Sequence, residues 1–293
     1  MENVTKKKKT HMNQKTLRNI TNTIIYVILI AISIIWLIPF VLILLESFRC
    51  ETGMRVGYIL PKQWGFDNYI NLFKTTDFPK WYLNTLIIAL VVSVGQTLMV
   101  LTMSYTLSRL RFKGRKFLMN LMLILGMLPG FITLIVLYNV LSGLGLTGPN
   151  SVPGLILVYI ASSGMGYYVS KGFLDTIPRS LDEAARVDGA TRFQVLYKVI
   201  LPMSKPIIIY TILTAFMAPW GDFVFASYIA HNATDGKNVA VGLWGWVNSI
   251  TLIDTHYTMF CAGGVIVALP VTLLFMFLQK YYVEGVTGGA VKG

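Results

Sequence analysis

The chain has 293 residues, 55% of them hydrophobic and only 13% charged, with a net charge of +12 and a mean hydropathy of +0.63. A water-soluble domain carries about 25% charged residues, so this composition excludes a solvated globule and puts most of the surface against lipid. The positive charge does not point to nucleic acid, because the basic residues fall in short clusters between apolar runs and not over one solvated face with interleaved aromatics.

Residues 1–22 read as a basic tail carrying Lys6, Lys7, Lys8, Lys9, Lys15 and Arg18. A membrane domain follows over 23–281. Its apolar stretches are Ile24–Leu45, Tyr82–Tyr105, Leu118–Leu141, Val152–Phe173, Pro206–Tyr228 and Tyr257–Leu278, each near the roughly 20 residues a helix needs to cross a bilayer. Unpaired backbone in lipid costs several kcal/mol per group, so the expected class is all-α: a polytopic bundle of six transmembrane helices. Small residues in the fourth and fifth stretches suit close helix packing. The first stretch is too long for a signal-peptide core and lacks a small-residue cleavage site, so it reads as an uncleaved anchor. Ser47-Phe48-Arg49 before Cys50 lacks the small residues of lipoprotein processing. Cys261 lies inside an apolar run, and neither cysteine has a partner at metal-ligand spacing.

Orientation follows from the distribution of Lys and Arg. The connection after the second stretch holds Arg109, Arg111, Lys113, Arg115 and Lys116 without an acid, and the one after the fourth, counting the end of its span, holds Lys171, Arg179, Arg186, Arg192, Lys198 and Lys205. The third connection is uncharged and the fifth has Lys237 as its basic residue; the first has five basic residues, but four acids accompany them. Both termini are therefore expected in the cytoplasm, with residues 282–293 as a C-terminal tail.

The loop over residues 174–205 is the most informative segment. Ser180 and Glu183 stand at capping-box spacing, which predicts a helix starting at Ser180, with Asp182 and Glu183 favoured at its positive end. Gly189 can take positive φ and stop that helix after about two turns. Thr191 and Gln194 repeat the capping-box spacing and predict a second helix that ends before Pro202. Ala184 and Ala185 allow close approach of another surface, with Glu183, Arg186 and Asp188 as oriented charges around it. By physics alone this is either a knob for a partner's cleft or an ordinary surface connector.

The run Glu183-Ala184-Ala185, then Gly189, Val199 and Leu201-Pro202, resembles the EAA motif of permease subunits in binding-protein-dependent ABC importers, with Val199 where the family usually has Ile. The resemblance implies the type I permease fold, with the segment acting as the coupling helix that docks on a cytoplasmic ATPase. Asn68-Tyr69, Phe73, Trp81 and Asn84-Thr85 resemble the segment leading into the second span of carbohydrate importers. The end, Gly285 to Gly293, resembles the tail of maltose/maltodextrin-type permeases, which implies that Gly288, Gly289 and Lys292 contact the ATPase subunits. The resemblance thus implies half of a translocation path for maltose, maltodextrin or a similar oligosaccharide, in the bacterial inner membrane. Its partners would be a homologous second permease, an ATPase dimer, an extracytoplasmic solute-binding protein, the sugar and membrane lipid, with no nucleic acid. Importers of polyamine, peptide or phosphate, and a channel or membrane enzyme with a coincidental loop, are the alternative readings.

The chain carries no G-x-x-x-x-G-K-[ST] motif, and His11, His231 and His256 are dispersed. No catalytic residue, metal or cofactor is expected in this chain, ATP being used by the partner ATPase. Asp222 lies about 24 Å along the fifth span, where Pro219 and Gly221 predict a break. It either satisfies backbone donors freed there or lies beside the sugar path. Trp220 is an interface anchor or a sugar-stacking ring. Trp244 and Trp246, in the outer loop from His231 to His256, either meet a solute-binding protein or cap the bundle.

Overall fold

The computed structural model describes residues 14–287 apart from 55–56, 128–129, 163 and 232. Helix α1 (Gln14–Ser47) is followed by a loop closed by an isolated antiparallel bridge between Arg49 and Trp64. A short α2 (Asp67–Lys74) leads into α3 (Phe78–Arg109). Next come α4 (Arg115–Gly126) and α5 (Gly130–Gly143), then α6 (Ser151–Ala161) and α7 (Gly164–Thr176). The loop holds α8 (Arg179–Val187), α9 (Arg192–Val195) and α10 (Leu201–Met203). The chain then runs through α11 (Lys205–Gly221), α12 (Val224–Ala230), α13 (Val239–Val247) and α14 (Ile253–Thr287).

Among the described residues, four segments are long and apolar enough to cross a membrane unaided: 18–47, 78–109, 148–176 and 253–281. Of these, 148–176 is itself divided between α6 and α7, and the other two expected stretches are also in pieces. Leu118–Leu141 is divided between α4 and α5, and Pro206–Tyr228 between α11 and α12. With the bent pair 192–203 and 205–221 taken as one span, the described residues hold up to five such spans against the six expected.

Helix α3 is the central strut. It packs along α11, α7 and α6, while α11 also lies against α14. Ser, Thr and Gly on these faces bring backbones together; Thr85, Ser93, Thr97, Ser104 and Ser108 of α3 are all buried. Several hydroxyls bond inward, as Ser104 Oγ does to the Tyr167 carbonyl at 3.1 Å.

One end of the bundle is fastened by the residues that resemble carbohydrate importers. The Asn68 amide donates to the carbonyls of Ser47 (3.0 Å) and Arg49 (2.7 Å) and accepts from Thr258 Oγ1 at 2.8 Å, tying α1, α2 and α14 together. Asn84 donates to the Asp235 and Lys237 carbonyls (2.9 and 3.0 Å), and Thr85 Oγ1 accepts from Val239 N–H at 2.8 Å. The stretch between His231 and His256 is thereby folded back as α13. Its Trp246 is buried against Trp81, ring centroids 5.5 Å apart, and Gly242 lies flat against the Trp81 ring, where an added Cβ would come within 2.0 Å. Trp244 stays exposed and meets Phe223. So the loop caps the bundle, with one tryptophan left outside.

Candidate functional site: a helical knob and a cavity at helix breaks

The knob begins one residue earlier than the sequence predicts. Pro178 precedes α8 with no side-chain cap, so the Ser180–Glu183 box does not form. The cause is tertiary: Arg179 Nη2 donates to the Ser108 carbonyl at 3.1 Å, which holds Arg179 in the first turn and leaves Ser180 inside the helix. The other end forms as predicted. Gly189 sits at φ +83°, its N–H bonded to the Arg186 carbonyl (3.0 Å), and Ala190 N–H bonded to the Ala185 carbonyl (2.9 Å). These two bonds are a Schellman motif, which satisfies carbonyls a helix end otherwise leaves free. The Thr191–Gln194 capping box is complete: Gln194 N–H donates to Thr191 Oγ1 (3.2 Å) and Thr191 N–H to Gln194 Oε1 (2.7 Å).

The second helix does not end before Pro202. It widens into a π turn over Leu196–Ile200, continues through Leu201–Met203, and bends by 79° into α11. Pro202 has no N–H for the Lys198 carbonyl and its ring crowds that carbonyl; the wider turn relieves the clash without breaking the helix.

Ala185, Ala190 and Leu196 pack on a small core of Tyr105, Leu174, Ile177, Val195 and Ile200. Ala184 is exposed, as are Glu183, Arg186 and Asp188, while Val187 is 88% and Phe193 71% exposed. The segment thus has a buried backing and an apolar outer face rimmed by charge. A nine-residue helix gains too little to hold this shape alone; besides that core, an ion pair to the end of α3 holds it. Arg109 Nε lies 3.2 Å from Asp182 Oδ2, with the two side chains only 3% and 12% exposed. The alignment is that of an ion pair and not of a hydrogen bond, so Arg109 Nε, like Asp182 Oδ1, is buried without a hydrogen-bond partner. Arg109 Nη2 also donates to the Ile177 carbonyl at 2.9 Å.

A second feature is an open cleft in the side of the bundle. A cavity of about 880 Å³ is lined by α3, α4, α5, α6, α7 and α12, including Met103, Met122, Tyr159, Ser162, Asp222 and Phe225. It sits where α6 ends at Ala161 and α11 ends at Gly221. Irregular backbone at membrane depth is tolerated where it lines a cavity, and broken helices are a common site of substrate contact in transporters.

Asp222 satisfies a backbone donor freed at the break and also faces the cavity. Its Oδ1 accepts from Phe225 N–H at 3.1 Å, capping α12, while Oδ2 accepts from the Tyr159 hydroxyl, and the carboxylate lines the cavity. Asn238 completes the break, donating to the Pro219 (3.2 Å) and Asp222 (2.7 Å) carbonyls while its Oδ1 caps α13 at Val241 N–H (2.9 Å). Trp220 is separated from this site. It is 5% exposed, packed on Tyr82 and Phe216, and absent from the cavity wall. Gly288, Gly289 and Lys292 lie outside the described residues.

Sequence reading did not find Arg109, Tyr159 or Asn238 as contributors. Arg109 counted only as topological charge, and the other two carried no local signal.

A bundle of apolar helices, broken beside an open cavity and bearing a helical knob on one of its basic connections, defines a polytopic membrane transport subunit. Residues 101–288 match the family described as the inner membrane component of binding-protein-dependent transport systems. The chain belongs to this family, and so is a permease component of an ABC importer and not an enzyme. It is 36% identical over 272 residues to the galactooligosaccharides transport system permease protein GanQ of Bacillus subtilis, covering 92% of this chain and 94% of that protein. To the maltodextrin transport system permease protein MalD of Streptococcus pneumoniae it is 35% identical over 280 residues, 95% of this chain and 98% of that one. In the crystal structure of a bacterial ABC transporter involved in the import of the acidic polysaccharide alginate, one chain shares the fold with a TM-score of 0.75. That match has 21% identity and covers 93% of this chain and 99% of that chain.

Proposed function

We propose that this chain forms half of the translocation path of an ATP-driven importer for an oligosaccharide of the maltodextrin or galactooligosaccharide class. In this reading α8 is the coupling helix. Its partners are a homologous permease, a cytoplasmic ATPase dimer and an extracytoplasmic solute-binding protein. The observation that carries the reading is the knob: an apolar outer face at Ala184 and Val187, backed by its own small core and ion-paired to a spanning helix.

The relatives' substrates support a sugar as cargo. The cavity supports a path, because the Asp222 carboxylate and Tyr159 hydroxyl can exchange hydrogen bonds with sugar hydroxyls beside the ring of Phe225. This chain binds no nucleotide in the scheme. ATP closes the ATPase dimer, and α8 carries that motion to α3 and α11. The energy is the difference in binding between two states, so α8 stays attached in both. The basic connections, and both termini, face the cytoplasm, and the tail over 288–293 reaches the ATPases.

The test is Ala184→Arg, a change on an exposed face that leaves the chain's own packing intact. Membrane insertion and pairing with the second permease are expected to persist, while the ATPase no longer co-purifies and uptake of labelled maltodextrin and galactooligosaccharide stops. Undiminished uptake with the ATPase still attached would make α8 a connector only.

A further inference from the structure

A pocket of about 430 Å³ separates the end of α3 from α8, within the range of about 300–1,000 Å³ typical of ligand sites. Its wall holds Arg109, Arg111, Arg179, Arg186 and Arg192 against two carboxylates, Asp182 and Glu183. Five positive and two negative groups leave three positive charges unbalanced in one concavity. Asp182 is turned to Arg109, and Glu183 is exposed. The guanidinium of Arg179 is held by the Ser108 carbonyl. Arg111, Arg186 and Arg192 make no side-chain hydrogen bond or ion pair with another described residue. Arginines gathered around one pocket in excess over its carboxylates suit a phosphate, which guanidinium groups bind through paired, charge-assisted hydrogen bonds.

The surroundings indicate where the phosphate comes from. Arg111 also lines an adjoining recess of about 600 Å³ with Arg115, Lys116, Phe112 and Phe117. Both phenylalanines are exposed, and the recess opens directly after the membrane-crossing α3. Cations interleaved with exposed rings directly after a spanning helix suit the headgroup layer of a bilayer.

We propose that the arginine pocket binds the phosphate of an anionic phospholipid headgroup, bridging the end of α3 to α8. The proposal rests on the charge balance of the pocket and not on what docks against α8. In the transporter complex, reconstituted in phosphatidylcholine nanodiscs with spin-labelled phosphatidylglycerol, a motionally restricted lipid population is expected. Arg111→Gln with Arg192→Gln should weaken its retention about tenfold per arginine, and the paired Lys variants, which keep the charge but not the planar fork, should weaken it less than the Gln pair does. Inorganic phosphate alone at millimolar concentration should not displace the lipid; if it does, the ligand is soluble phosphate and the headgroup assignment is wrong. A second measurement needs no variant. Phenylglyoxal should modify Arg111 and Arg192 several-fold more slowly in phosphatidylglycerol discs than in phosphatidylcholine discs. Equal modification rates, or loss of the ATPase from the Gln variant with lipid retention unchanged, would overturn the proposal, the latter marking a pocket for a partner's carboxylate.

Discussion

Replacing Asp182 by Leu removes the counter-charge of a guanidinium that is 3% exposed. At the observed 3.2 Å separation, Coulomb attraction is about 5 kcal/mol with an effective dielectric of 20. Desolvation offsets part of this, and the typical cost of stranding one partner of a buried pair is about 3–5 kcal/mol. The remaining hydrogen bond from Arg109 to the Ile177 carbonyl does not restore neutrality, so α8 should lose its hold on α3 and open locally. With a loss of about 3 kcal/mol, amide exchange of Asp188 and Ala190, whose N–H groups close the end of α8, should accelerate roughly 100-fold. The assay is hydrogen exchange read by mass spectrometry on peptides spanning 174–205. The double variant Arg109→Leu/Asp182→Leu is the control. It leaves no unpaired charge and should recover most of the protection. Unchanged exchange in the single variant, or a double variant as fast as the sum of both singles, would refute the idea that this pair fastens the knob.

Gly189→Val should cost about 1–2 kcal/mol of local strain from its positive φ, and no clash within the chain, because nothing lies within 4 Å of the added Cβ. The expected phenotype is therefore loss of ATPase co-purification at near-normal membrane levels; degradation of an unassembled chain would instead mean that the residue matters for folding alone. Gly242→Ala, in contrast, drives a Cβ to 2.0 Å from the Trp81 ring and should lower stability by about 1–3 kcal/mol, measured as earlier thermal unfolding in detergent; an unchanged transition would mean that α13 is free to move. Asp222→Asn keeps a cap for Phe225 N–H whereas Asp222→Ala costs about 1 kcal/mol of capping, so a raised uptake KM in the Asn variant at normal stability supports a place on the path, and normal uptake kinetics would reduce Asp222 to a cap.

The elements legible in the sequence were those fixed by near neighbours. Gly189 and the Thr191–Gln194 box form as their spacing demands, because every partner lies within five residues. The spans were visible as apolar runs, since lipid imposes that composition whatever the packing. The start of α8 was misplaced because the deciding bond, Arg179 to Ser108, comes from a different helix. Pro202 was read as a stop by local rules, but the helix accommodates it with a π turn. The cavity was illegible for the same reason. Tyr159 and Asp222 meet only when α6 and α11 break side by side, and one-dimensional periodicity carries no trace of that meeting.

The elbow at Ser204 has a mechanical meaning. The arm from Arg192 to Met203 is about 18 Å long and joins α11 at 79°. Ser204 stitches the corner: its Oγ and N–H both bond the Ile200 carbonyl (2.7 and 2.9 Å), and its own carbonyl accepts from Ile208 N–H at 3.0 Å. A corner tied on both sides behaves as a bell crank and not as a string. Swinging such an arm by about 10° moves its far end by about 3 Å and must tilt α11 by a similar angle. Since α11 ends at the break that presents Asp222 to the cavity, the proposed coupling at α8 would reach the cavity as a rotation of α11.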